Sequence, residues 1–230
     1  MREDGANEGK EMQSKKKKMQ KKKKLTIMVS SAVYGIEELL DRIYTLLTAF
    51  GYEVWMSHKG TVPVFSNRSA FENCIAATEN CDLFLGLITP HYGSGRDGDG
   101  LSITHQELKR AIALNKPRWL LVHDHVVFAR QLLNHIGHRG EASRRKLPLA
   151  KNRIMDDLRV IDMYEEAILS EKPLQERKGN WVQMFRSDDD AALFATAQFS
   201  RYQEVEAFVQ ENFQDSNHVS RAIQSRGDRS

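Results

Sequence analysis

Among the residues whose types and spacing can do chemistry, Glu107 stands out. The segment Ser102-Ile-Thr-His-Gln-Glu107-Leu-Lys-Arg-Ala111-Ile-Ala113-Leu-Asn-Lys116-Pro117 sets one carboxylate on the opening turn of an expected helix, just after an apolar strand. Breaking an N-glycosidic bond builds positive charge on the sugar. A carboxylate near the anomeric carbon stabilises that charge or attacks it covalently. A structural reading competes: Thr104-x-x-Glu107 is also a capping-box pattern, which would turn the carboxylate back to the Thr104 amide.

The other motifs are weaker. Tyr92-Gly-Ser-Gly-Arg-Asp-Gly-Asp-Gly100 is glycine-rich, but no Gly-Lys-Ser/Thr closes it as a phosphate-binding loop would require. Asp97 and Asp99 resemble a fragment of a calcium loop without its spacing or terminal glutamate. A mobile lid and a plain connector are both open readings of this stretch. In His123-Asp124-His125, alternate residues on extended backbone point the same way and two imidazoles can converge. With no third ligand in view the trio reads as a polar strand end, and no metal is expected. No Gly-x-Ser-x-Gly elbow supports a serine hydrolase. Cys74, without a visible activating partner, reads as a small buried residue.

These residues need a scaffold, and the hydrophobic pattern supplies one. Leu25–Ser30, Asp82–Thr89 and Arg118–His123 are apolar runs that read as buried strands. Tyr52–His58 alternates, as a half-exposed edge strand does, and Trp181–Phe185 is a short fifth strand. Helices are expected over Tyr34–Phe50, from a Ser69–Glu72 capping box toward Asn80, from about Thr104 to Asn115, and after Asp124. Lys151–Ser170 reads as an amphipathic helix on Ile154, Leu158, Ile161 and Ile168. A last helix capped by Ser187 runs to about Phe213, and Gly137–Lys146 reads as a surface loop.

Strands alternating with helices imply right-handed crossovers and parallel pairing. The expected fold is a doubly wound, mainly parallel five-stranded α/β sheet in flavodoxin-like order 2-1-3-4-5, with helices on both faces. Ligands in such sheets bind beyond the carboxyl ends, at the switch point between strands one and three. The expected wall is Ser30, Ser31 and Tyr34 after strand one, Thr89–Leu101 after strand three, and His123–His125 after strand four.

Composition narrows the function classes. The 230 residues are 40% hydrophobic and 28% charged, which suits one globular domain with attachments. Two cysteines exclude a disulfide scaffold and a four-thiolate zinc site, and make the reducing cytoplasm the expected compartment. No apolar run has the length of a membrane span. Residues 1–24 hold ten cations against four carboxylates, net +6, leaving 24 cations and 27 carboxylates, net −3, for the rest. The body is thus a poor duplex-DNA binder, while the lysine runs can contact nucleic acid or anionic surfaces weakly. Residues 1–24 and 216–230 are expected as disordered tails around a domain at 25–215, with residues 137–180 inserted before the last strand.

Resemblance adds to this reading. Glu107-Leu-x-x-Ala111-x-Ala113-Leu-x-Lys116-Pro117, after the strand Asp82–Ile88, resembles the signature of nucleoside 2-deoxyribosyltransferases, whose matching glutamate is the nucleophile on the sugar. The arrangement is also similar to TIR domains, where a glutamate opening the corresponding helix is required for NAD hydrolysis. Thr104-His105-Gln106 here replaces the Trp-Cys pair of many TIR domains. Over about Leu25–Asp124 the chain resembles the TIR-like domain-of-unknown-function family 4062. Val29-Ser30-Ser31, Asp41-Arg42, Gly51-Tyr52-Glu53-Val54, Cys81-Asp82-Leu83-Phe84 and Ile88-Thr89-Pro90-x-Tyr92-Gly93 carry that match.

The resemblance implies an enzyme that cleaves N-ribosyl bonds of NAD or another nucleotide or nucleoside, by hydrolysis or transfer, as a bacterial defence or stress effector. Glu107 would act on the sugar, and Ser30, Ser31 and Tyr34 would hold ribose or phosphate. Ser94 and Ser102 would line the lid, with Asp82, Thr89 and Tyr92 as further binding residues. No cofactor is implied beyond NAD or a nucleotide as substrate. The alternative is a non-catalytic signalling or nucleotide-sensing module that works as a homo-oligomer.

Overall fold

The computed structural model describes residues 24–98, 100–150, 154–179 and 181–212. The lysine-rich stretch before Lys24, the stretch after Asn212, and Asp99 lie outside the described residues, so the readings made for them stay expectations. Five parallel strands, β1 (Thr26–Ser31), β2 (Glu53–Met56), β3 (Leu83–Ile88), β4 (Arg118–His123) and β5 (Val182–Phe185), pair in the order β2-β1-β3-β4-β5. The switch point falls between β1 and β3.

Period-two alternation divides the core into two layers. Ile27 and Val29 of β1 and Leu83, Leu85 and Leu87 of β3 face one side. There they meet α1 (Glu37–Ala49), α7 (Asp188–Phe199) and α8 (Tyr202–Asn212). Met28, Phe84, Ile88, Leu120 and Val122 face the other side. They meet α2 (Ala70–Asn80), α3 (Ile103–Ala113), α4 (Asp124–His135) and α6 (Arg159–Ala167). Gly86 is held against the second layer with no room for a side chain: a Cβ there would stand 2.8 Å from Leu120 Cδ2. Among the described residues no helix is long and apolar enough to cross a membrane.

Several helix ends follow local chemistry. The Ser69 hydroxyl accepts the Glu72 N–H and the Glu72 carboxylate accepts the Ser69 N–H, a complete capping box. Ser187 accepts the Asp190 N–H above three acidic residues in the first turn of α7. Replacing Ser69 by alanine is expected to destabilise the fold by about 1 kcal/mol, seen as a lower urea midpoint at unchanged slope.

Tertiary contacts overrode local pattern in four places. Lys151–Arg153 lie outside the described residues; among the described ones the helix expected over Lys151–Ser170 forms only at Arg159–Ala167, and Ile154 is 67% exposed. The carboxylates of Asp156 and Asp157 instead bind backbone N–H groups of Tyr92 and Arg159, which pulls that stretch out of helical geometry. The helix expected to reach Phe213 breaks after Phe199. The break lets Tyr202 fold back against Tyr52, with ring centroids 4.9 Å apart, and accept the Leu25 N–H. The expected loop Gly137–Lys146 contains a short helix, α5 (Glu141–Arg144). Its Arg144 is 2% exposed, held by Asp162 at 2.5 Å and Glu165 at 2.6 Å. Finally, α1 begins at Glu37 rather than Tyr34, leaving Tyr34 in an exposed turn.

Candidate functional site

Glu107 is placed by a helix whose start differs from the expected one. Ser102 caps α3, its hydroxyl accepting the His105 N–H at 3.2 Å. That cap puts Glu107 on the second turn, and of the two readings left open for Thr104-x-x-Glu107 the capping box does not form. The carboxylate is therefore not tied to its own backbone. Across the switch point it accepts the Ser30 hydroxyl at 2.5 Å, and the Cys74 thiol of α2 acts on it as a further, weaker donor. Ser30 reaches it because it shares a strand face with Met28. Ser31, one residue on, points the other way and donates to the Ala32 carbonyl.

The group is buried, with 5% of Glu107 exposed. Burial raises the carboxyl pKa from 4.5 to about 7, while the Ser30 and Cys74 hydrogen bonds pull it down in part. Burial likewise pushes the Cys74 thiol to about 12, with the Glu107 charge adding to the rise, so it remains a proton donor to the carboxylate. A carboxyl near 7 populates both forms at neutrality. The ionised form is a nucleophile and the protonated form a proton donor. Removing one of the pulling bonds, in Ser30→Ala, is expected to move the Glu107 titration further up. A carbon-detected NMR titration of the carboxyl would measure it.

The loop after β3 packs against the segments that carry Ser30 and Glu107. Gly93, with φ +88°, lies where a Cβ would stand 3.6 Å from both Ala32 Cβ and Thr104 Oγ1. Ala32 is two residues past Ser30 on the same strand edge, and Thr104 is one helical turn before Glu107. Gly93 thus forms the layer above the Ser30–Glu107 pair.

The remaining expected residues divide by position. Tyr34 and Ser94 are exposed at the same end of the sheet. Thr89 is buried and bonds within its own turn to His91. Tyr92 is 1% exposed, and its hydroxyl lies 2.6 Å from His105 Nδ1, whose other ring nitrogen is 3.2 Å from Glu166 of α6. Tyr92 and Ser102 therefore support the α6 flank of α3, whereas Glu107 faces the α2 flank. Asp82 does not join the site. It precedes β3 at the amino end of the sheet, where its carboxylate accepts the Thr26 N–H and hydroxyl, so the crevice lies a strand length away.

Three signature residues are also structural. Leu108 and Ala111 pack in the second core layer, and Lys116 donates to the carbonyls of Glu79 and Cys81, closing the end of α2. His123 and His125 come together, with ring centroids 4.5 Å apart and ligand atoms of the trio within 4.8 Å, but not along an extended strand. α4 starts at Asp124, and His123 Nδ1 caps it by accepting the His125 N–H. Asp97 is used within its loop, accepting the Leu101 N–H and the Gln106 side chain.

Cys74, His105 and Glu166 were not among the expected site residues. Cys74 is 33 positions from Glu107 and Glu166 is 61 from His105, so no local spacing in the sequence announces either pairing.

No curated protein matches the chain. A solved structure similar to it is that of a CMP N-glycosidase from Clostridium botulinum, at 20% identity over 47% of this chain and 81% of that one, with a TM-score of 0.30. The model of the domain of unknown function DUF4062 matches residues 26–222, nearly the whole described region, and the chain belongs to that family.

Proposed function

We propose that this protein cleaves N-ribosyl bonds of a nucleotide or nucleoside, NAD included, with Glu107 acting at the anomeric carbon. One observation carries the reading. The Glu107 carboxylate stands at the switch point free of its own backbone, held by Ser30 and Cys74 and perturbed to about 7. In the reaction the C1′–N bond breaks heterolytically and its electron pair leaves with the base. The ionised carboxylate bonds to C1′ or stabilises the oxocarbenium, and water or a second acceptor then takes the sugar. Nicotinamide leaves NAD neutral and needs no proton, whereas an ordinary base needs one. Incubating the full chain with NAD, nucleotides and nucleosides, with chromatographic detection of free base, tests the reading. No base release from any of them counts against it.

A second reading, a nucleotide-sensing module working by self-association, is favoured by exposed apolar residues on α4 and at its C-cap. Phe128, Leu132 and Ile136 follow one another at helical spacing with 64%, 47% and 57% exposure. The apolar face of α6 is not offered for such assembly, because Val160, Ile161, Met163 and Ala167 are buried in the second core layer. Light scattering with and without nucleotide separates the readings: concentration-dependent assembly without turnover favours the module.

A further inference from the structure

The turn before α6 is bound to the loop after β3 far more heavily than a connector requires. Asp156 accepts the Tyr92 N–H at 2.8 Å, its own N–H donates to the Pro90 carbonyl at 3.3 Å, and its carboxylate lies 3.4 Å from His91. The Arg159 guanidinium stacks over the Tyr92 ring, 4.5 Å from its centroid, and donates to the Gly100 carbonyl. Asp157 holds that guanidinium at 2.6 Å and reaches Arg96 of the loop at 3.0 Å. Burial tends to raise the Asp157 carboxyl, but the Arg159 bonds prevail and hold it below its ordinary range, so the link is ionic at neutral pH.

The loop so bound carries Gly93, which seats against Ala32 and Thr104 above Glu107. Gly93 and Gly95 both have positive φ, 88° and 71°, a backbone region that glycine enters without the steric cost of a side chain. Glu107 is only 5% exposed, so a ligand reaches it only if some part of its cover moves.

We infer that Asp156, Asp157 and Arg159 are positioning residues that clamp the β3–α3 loop shut over the Ser30–Glu107 crevice, and that releasing this clamp admits a ligand. The inference goes beyond the proposed cleavage and does not depend on it, since closure can be read without turnover. It also gives the segment inserted before β5 a role: it supplies the clamp from outside the sheet and its crossovers.

Hydrogen–deuterium exchange on the full chain tests it, followed in peptides covering residues 91–98, with trypsin cleavage after Arg96 as a second measurement. Arg159→Ala and Asp157→Asn are each expected to speed exchange in that stretch by about ten-fold, the size set by losing a charge-assisted bond. Exchange in β4 and α7 should be unchanged. Arg159→Lys should restore only part of the protection, because an ammonium keeps the charge but not the planar stack. Cleavage after Arg96 should accelerate in the same order. Exchange at wild-type rates in residues 91–98 of Arg159→Ala would overturn the inference. So would a rise spread evenly over the domain, which would mark these residues as ordinary fold contacts.

Discussion

Glu107→Gln is expected to lower base release from a cleaved nucleotide on the order of 1000-fold, in kcat rather than in KM. The substitution keeps size and an oxygen for the Ser30 hydroxyl, so the crevice wall remains, and what disappears is the negative charge. That charge matters chiefly when the sugar becomes cationic, which makes the loss a transition-state effect. The wild-type rate should climb as pH rises through about 7 and then level off, because only the ionised carboxyl serves the sugar and burial has pushed its titration up to there. Single-turnover measurements across pH with chromatographic detection would show both features. Activity that survives intact in both Glu107→Gln and Glu107→Ala would remove Glu107 from the mechanism.

The same substitution should stabilise the protein above neutrality. In the unfolded chain the Glu107 carboxyl ionises near 4.5, and in the fold near 7. Between those values the folded state binds the extra proton, so stability falls as pH rises from about 4.5 to about 7 and stays low beyond. The gap corresponds to about 3 kcal/mol. Below pH 4.5 both states are protonated and this contribution vanishes. Glutamine cannot ionise, so Glu107→Gln should exceed wild type by up to about 3 kcal/mol at pH 8, with the gain shrinking toward pH 5. Urea denaturation at a series of pH values measures it. A flat difference across that range would mean that Glu107 is not titrating as its burial implies. Together the two results would show a carboxylate kept at a cost to the fold.

The legible parts of the fold were those written in nearest-neighbour chemistry. β4 falls where the apolar run Arg118–His123 marks it, and the strand order follows from alternating strands and helices. The Ser69 and Ser187 caps form as their spacing implies, since a cap involves residues within one turn. Where the reading failed, a distant partner outbid the local pattern. Thr104-x-x-Glu107 left two readings open, and packing chose between them: Ser102 takes the cap and Glu107 goes to Ser30. The stripe Ile154–Ile168 has helical spacing, yet Tyr92 and Arg159 draw Asp156 and Asp157 into a turn. Asp82 shares a segment with the β3 residues of the family pattern, but direction along the strand decides its place, at the end opposite the crevice.

By itself the sequence determined the parallel sheet, the position of its switch point and the presence of Glu107 beside it, because strand runs and crossover handedness depend on short-range pattern and chirality. Only the tertiary structure decided that the carboxylate is buried, that Ser30 and Cys74 act on it, and that a turn some sixty residues later in the chain (Asp156 to Tyr92 spans 64) is bonded to the loop after β3. Those facts rest on desolvation and on hydrogen bonds between remote segments, which exist only once the chain has packed.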